Sequence, residues 1–384
     1  MNRLLLLTMA TSMSLGLFAQ SEEQAPKYSI TGYVKDLQTF SILNLGGQRL
    51  FFSQNQIHNR INTRWFPSES FTVRMDLRNR IFWGDAINEV FIESLDGAND
   101  YFDFAWGTSE AGRVGLHTMI DRLYLEYLKG NWEIRLGRQR INWGINTVWN
   151  PNDVFNAFAF TDFDYEERPG SDALRVKYYT GFTSSVEIAI AAFDSIQAAR
   201  MGALVKLNAW NYDWQMLTAL VNNELALGGG WAGGIGSLGF KGEFTYFQPF
   251  EASIDPSFAG TLSLDYMTAK SLFLMAGFLY NSNGETTGNI ASLFNFELSA
   301  KNLYPFSYSV FLQGSYPFTP ILNGGLALIY SPGEAHALFV NPSITYSIKE
   351  NWDLDLIGQV GFNREGEQYT SPVQGWFLRV KLSY

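Results

Sequence analysis

Over residues 71–82 the chain alternates in the manner of a strand with two different faces. Phe71, Val73, Met75, Leu77 and Ile81 fall on one side, and Thr72, Arg74, Asp76, Arg78 and Arg80 on the other. Successive side chains of a strand point to opposite faces, so a period of two sorts residues by the solvent each face meets. The pattern recurs in Ile57, Ile61 and Trp65 against His58, Arg60, Asn62 and Arg64, and in Leu174, Val176 and Tyr178 against Arg175 and Lys177. It also ends the chain, where Trp376, Leu378, Val380, Leu382 and Tyr384 oppose Arg379, Lys381 and Ser383.

A soluble sandwich alternates too, so the connections decide between architectures. Very short turns are expected at 66–69, 129–131, 180–182, 210–212, 236–239, 268–270, 318–320 and 349–351, with long loops at 41–52, 83–118, 144–170, 281–305 and 364–372 between them. Short turns on one side and long loops on the other are the pattern of a barrel in an outer membrane. The expected fold is therefore all-β, a transmembrane antiparallel up-and-down β-barrel of about eighteen strands, with sixteen as the other count. Strands of that number take up most of the mature chain, which leaves one domain over 21–384. No propeller blade signature is present.

Composition fits this reading. Aromatics make up 16% of the 384 residues, and Trp65, Tyr127, Trp132, Tyr178, Tyr179, Trp210, Tyr212, Trp214 and Tyr346 sit close to the short turns, where a membrane-interface girdle belongs. Residues 1–20 start with Met1, Asn2 and the positive Arg3, continue through an apolar stretch from Leu4 to Phe18 and end in Ala19 and Gln20, the form of a cleaved secretory signal. There is no cysteine, which excludes disulfides and thiolate chemistry. The 27 basic residues against 37 acidic ones argue against a nucleic-acid partner. The three histidines, His58, His117 and His336, form no close-spaced ligand motif, so no metal, cofactor or catalytic centre is expected. His58 is the best of the three for a hydrolase, because it faces inward beside Arg60.

If the apolar faces meet lipid, the other faces line the lumen, and these are basic. Arg60, Arg64, Arg74, Arg78, Arg80, Arg122, Arg135, Arg175 and Lys177 form a stripe along one wall, with Asp76, Glu126, Glu133 and Glu187 among them. A confined row of arginines concentrates anions, and the same residues could instead pair with acids and stiffen the wall. The segment after the fifth strand supplies acids and phenylalanines together: Asp153, Phe155, Phe158, Asp162, Asp164, Glu166 and Glu167. So much apolar surface does not stay in water, and the segment is expected to fold into the barrel and set its carboxylates against the stripe.

The stretch 135–156, RLGRQRINWGINTVWNPNDVFN, carries Gly137, Arg138, Gln139, Trp143, Gly144, Asn150, Pro151 and Asp153. This arrangement resembles that of porin-like, largely uncharacterised outer-membrane barrels of Gram-negative bacteria. The terminal Tyr384 resembles the carboxy-terminal signal through which such barrels reach their assembly machinery. The resemblance implies an outer-membrane channel for passive diffusion of small hydrophilic solutes and is silent about substrate. The arginines favour anions, the aromatics of the inward loop could stack on sugars, and the sequence does not choose between them. It leaves open a plugged accessory barrel docking a surface complex, with 83–118 as the docking surface or plug, and also the oligomeric state.

Overall fold

The computed structural model describes residues 26–384 except 46, 86, 94, 96–100, 111–112, 165–167, 169, 194–197, 288, 295 and 335. The expected signal segment 1–20, Glu166 and Glu167 lie outside the described residues. The wall begins with β1 (Tyr28–Leu45), β2 (Gln48–Ser68) and β3 (Phe71–Gly84). A five-residue helix α1 (Glu89–Glu93) and a short strand β4 (Ala105–Glu110) follow, then β5 (Val114–Lys129) and β6 (Trp132–Gln139). After a long inward segment come β7 (Ser171–Tyr179), β8 (Ser185–Ala191), β9 (Arg200–Ala209), β10 (Tyr212–Val221), β11 (Glu224–Ile235) and β12 (Leu238–Pro249). The wall ends with β13 (Ser257–Met267), β14 (Phe273–Asn281), β15 (Tyr308–Thr319), β16 (Leu322–Ser331), β17 (Ala337–Lys349), β18 (Trp352–Glu365) and β19 (Gln368–Ser383).

Each wall strand pairs antiparallel with the next, β3 with β5 past β4, and β1 pairs with β19 from Tyr33↔Ser383 to Leu43↔Val373, which closes the sheet. Closure satisfies every strand edge within the wall, the condition for a sheet in lipid. The result is an eighteen-strand barrel with β4 as one extra strand. The register matches the alternation: Arg60 is 0% exposed and Arg80 8%, whereas Ile81 is 40% exposed on the outside. All eight expected short turns are present, and both chain ends lie on their side. Trp210, Asn211 and Asn351 adopt left-handed backbone there, as tight hairpins demand.

Two expectations change. Residues 41–52 and 364–372 are not long loops. Pairing continues through them to tight turns, Leu45↔Gln48 and Glu365↔Gln368. At 21 residues and roughly 3.3 Å per residue, β2 extends well past a hydrocarbon core of about 30 Å even when tilted. The polar run 364–372 and the mixed run 41–52 belong to a wall rising above the membrane. Tyr179 also leaves the expected girdle. It follows the outward Tyr178, so alternation turns it inward, where its hydroxyl bonds Glu133. Trp65, Trp132, Trp210 and Tyr346 are exposed on the outer face as expected.

The barrel is low on one side. β6 has 8 residues, β7 has 9 and β8 has 7. β6 covers β5 only from Leu123 to Lys129, and then the chain turns inward. Above that level β4 takes its place beside β5, from Ala105↔Met119 to Glu110↔Val114. Arg138 and Asp172 pair at 2.9 Å and grip the main chain of Phe102 between them, which fixes the lower end of this patch. Ile87 and Ile92 pack with Phe82 behind it.

Candidate functional site

The basic stripe is built by cross-strand register. Arg60 faces Arg78, His58 faces Arg80 and Arg64 faces Arg74 across β2 and β3, and Asp76 faces Arg122 across β3 and β5. Like charges set opposite one another repel unless acids intervene, and the acids come from the wall itself. Arg60 is buried between Asp76 at 3.0 Å and Asp121 at 2.6 Å. Arg74 binds Asp76 at 2.7 Å, and Arg122 binds Asp121 at 3.3 Å. Arg135 pairs with Glu126 and Glu133, and Arg175 joins Glu133 at 3.3 Å to Glu187 at 3.0 Å. Lys177 lies over the Tyr179 ring, and Arg64 is exposed near the short-turn side. Arg80 contacts His117 Nδ1 at 2.9 Å.

The stripe extends further than the nine residues expected. Lys35 in β1 and Arg379 and Lys381 in β19 continue it across the seam, in the register Leu37↔Arg379 and Lys35↔Lys381. The alternation of β19 showed Arg379 and Lys381 plainly. That of β1 is inverted around Asp36, which faces outward in register with Ile57 while Leu37 points in, so Lys35 carries no clear signal.

Over its described residues 140–164 the inward segment crosses the lumen. Its first part is bolted to the opposite wall. Gln215 donates to the Trp143 carbonyl at 2.7 Å, Glu243 accepts from Ile145 N–H at 2.6 Å, and the Trp143 indole donates to Glu187 at 2.7 Å. Thr245 holds the Pro151 carbonyl at 2.8 Å, and Asn152 donates to the Gly229 carbonyl. This approach is possible because the wall there is bare. A Cβ on Gly228 would stand 2.6 Å from Asn152 Oδ1, and one on Gly230 would stand 2.8 Å from Ile145 Cδ1. The glycine run of β11 is the sequence signal for this docking track, legible only once the partner segment is known.

The motif residues shape the departure from the wall. Gly137 has φ +119° and no room for a Cβ beside the Leu123 carbonyl, so only glycine bends β6 at that point. Gln139 donates to the Ala173 carbonyl at 3.0 Å, and Gly144 packs directly on the buried Asn150 amide. Asp153 does not face the stripe as expected. It is buried at the base of the segment, where it accepts from Trp143 N–H at 3.4 Å. Burial pushes its carboxyl up to about 7 against the pull of Arg140. Phe155 packs edge-on against Trp143, and Arg168 covers the Phe158 ring.

Further along, the segment reaches the charged wall. Gln359 holds the Thr161 carbonyl at 2.7 Å, Phe163 packs on Phe377, and Asp164 meets Lys35 at 2.7 Å and Arg379 at 3.6 Å. His58 stands 3.9 Å away. Burial alone would raise the Asp164 carboxyl, but His58 and the Lys35 ammonium beside it draw it down to about 2. A cavity of about 320 Å³ lies here, with Asp162 and Asp164 on one side and Arg78 and Arg80 on the other. A second, of about 330 Å³, lies between 154–157, 298–301 and the wall, and Arg78 borders both. The second inward loop is fastened by Lys301 to Glu224 at 2.7 Å and by Tyr304 against Trp149.

An eighteen-strand barrel with the segment after its fifth wall strand folded across the lumen is a known architecture. The fold is that of a porin. Solved structures similar to this chain include OccAB4 of Acinetobacter baumannii (TM-score 0.59, 10% identity, 94% of this chain and 99% of that one). A BenF-like porin from Pseudomonas fluorescens also has TM-score 0.59 at 10% identity, covering 93% and 99%. Pseudomonas aeruginosa OpdK, crystallised with vanillate, has TM-score 0.56 at 10% identity, covering 93% and 98%. No protein-family model matches the chain, and no curated protein matches it. The porin likeness is thus a likeness of fold, and it agrees with the resemblance carried by the 135–156 stretch.

Proposed function

We propose that this chain is an outer-membrane channel of a Gram-negative bacterium through which small hydrophilic solutes diffuse, with anions favoured. The observation that carries the reading is the pair of cavities bordered in common by Arg78, one of them set between Asp162 and Asp164 on the inward segment and Arg78 and Arg80 on the wall. Opposed charges across a narrow passage make a transverse field, and fixed guanidinium groups favour anions entering it. OpdK, of similar fold, was crystallised with the carboxylate vanillate, which supports an organic anion as solute. A sugar channel would need open aromatic faces, but Phe155 and Phe163 are engaged edge-on by Trp143 and Phe377. Insertion into the membrane would proceed through the C-terminal strand, where Tyr384 pairs with Gly32 and completes the seam.

Planar-bilayer recording of the refolded mature chain under a salt gradient tests this. A steady current is expected, with a reversal potential favouring anions that weakens when Arg78 and Arg80 are replaced by serine. A folded barrel without current favours a plugged accessory barrel. That second reading has its own support, since two inward loops and α1 fill much of the lumen. A hydrolase built on His58 has weaker support, because Lys35 and Arg379 engage the Asp164 carboxylate that would have to orient the imidazole.

A further inference from the structure

We propose that the junction of Lys35, Arg379 and Asp164 is a binding site for small anions whose ligand position is occupied by the chain's own Asp164 carboxylate, with which a solute carboxylate or phosphate competes. This rests on the reading that solutes enter the lumen, and it names the place where they bind.

The geometry is that of a liganded anion site. Asp164 is not a wall residue. It arrives on the inward segment, and Lys35 binds it twice, through the carboxylate at 2.7 Å and through the main-chain carbonyl at 2.6 Å. Arg379 approaches the same oxygen at 3.6 Å while its Nε holds Asp355 at 2.9 Å, so the guanidinium is oriented from the wall and presents another edge to the ligand. Phe163 and Thr161 carry the carboxylate into place through Phe377 and Gln359, neither of which is charged. The cations belong to the rigid barrel and the anion to a tethered loop, so the loop is the part that yields.

Access is built in. The Asp164 side chain is 15% exposed, and it opens on the cavity of about 320 Å³ that Arg78 and Arg80 also line. An anion drawn in by those arginines is therefore delivered beside the internal carboxylate. A tethered ligand competes at the high effective concentration set by its short connection, so a free anion meets the wild-type site as a weak one. The low value of the Asp164 carboxyl is consistent with surroundings that stabilise a carboxylate charge.

The test is calorimetric titration of the refolded full chain in detergent with sodium succinate and, separately, inorganic phosphate, at fixed ionic strength. Asp164→Asn should bind the better of the two anions about tenfold more tightly than the wild type or better, and adding Lys35→Gln should abolish the gain. If the asparagine chain does not refold, Asp164→Ser serves the same purpose. Equal affinities in wild type and Asp164→Asn overturn the proposal, as does a gain that survives Lys35→Gln. Current recordings separate this from the channel reading. A conducting, anion-favouring wild type whose Asp164→Asn variant gains no anion affinity overturns the site alone. A wild type without current overturns the channel, while tighter binding by Asp164→Asn still establishes the site.

Discussion

From β2 through β7 many inward side chains are charged and pair across neighbouring strands, and Lys35 of β1 joins them with Arg379 and Lys381 of β19. From β8 through β17 the inward side chains are mostly small, hydroxylic or apolar, as in Ala189, Leu204, Ala219, Ala259 and Ser309, and two loops cover them. The first wall is stiffened by its own ion pairs and tolerates water. The second cannot be left wet without exposing apolar surface, so it takes up the inward segment. The difference locates the passage. Arg78, on the charged side, borders both of the cavities described above.

The comparison is broken most severely by removing an acid from the charged wall. Asp76→Ala leaves Arg60 and Arg74 without their shared partner, and breaking a buried pair in this way costs about 3–5 kcal/mol. Unfolding in urea from detergent micelles should shift to clearly lower denaturant, and an unchanged midpoint would mean the pairs contribute no rigidity. A smaller effect on stability is expected on the covered wall. Gly228→Val fills the space of the Asn152 amide, an overpacking worth about 1–3 kcal/mol. The barrel should remain folded while the inward segment lifts, giving a several-fold larger conductance with weaker anion preference. Wild-type conductance in this variant would show that the glycine track does not hold the segment.

The smallest effect concerns pH, and it separates the two ends of one segment. Asp153 at the covered wall has its carboxyl raised from 3.8 to about 7, so the docked state keeps a proton that the released state loses. Docking of that end is unimpeded below pH 3.8, weakens as pH rises, and pays its full penalty above about 7. Asp164 at the charged wall is lowered from 3.8 to about 2, so its contribution is complete above 3.8 and lost as pH falls through 2. Current fluctuations should therefore grow toward alkaline pH in the wild type and lose that dependence in Asp153→Asn. An unaltered alkaline profile in the variant would assign the effect to another group.

The comparison also explains what the sequence could show. The charged wall was legible because its two faces differ in kind: Arg78 between Leu77 and Asn79 needs only a register to be placed. The covered wall was not, since Ala219 inside and Leu220 outside are both apolar and period two carries no contrast there. The inward course of 140–170 was legible from its phenylalanines, but the placing of Asp153 was not, because a buried carboxylate at the base and one at the charged wall look alike in a linear chain. Strand β4 was hidden for another reason. AWGTSE is short and lies inside a long loop, and it becomes a strand only because β6 vacates the edge of β5.

That replacement has a consequence for how the barrel is made. Consecutive hairpins can enter a membrane one after another, each using the edge left by the last. β4 breaks this order, since it precedes β5 in the chain and yet occupies the position above β6. Its lower end is fixed only once β6 and β7 bring Arg138 and Asp172 together around the main chain of Phe102. The inward segment meets a similar requirement at its far end, where Lys35 and Arg379 come together only when the first and last strands have joined. That end of the segment thus docks after the wall is closed, and an assembly intermediate with a finished wall and the Asp164 end still free is the species to look for.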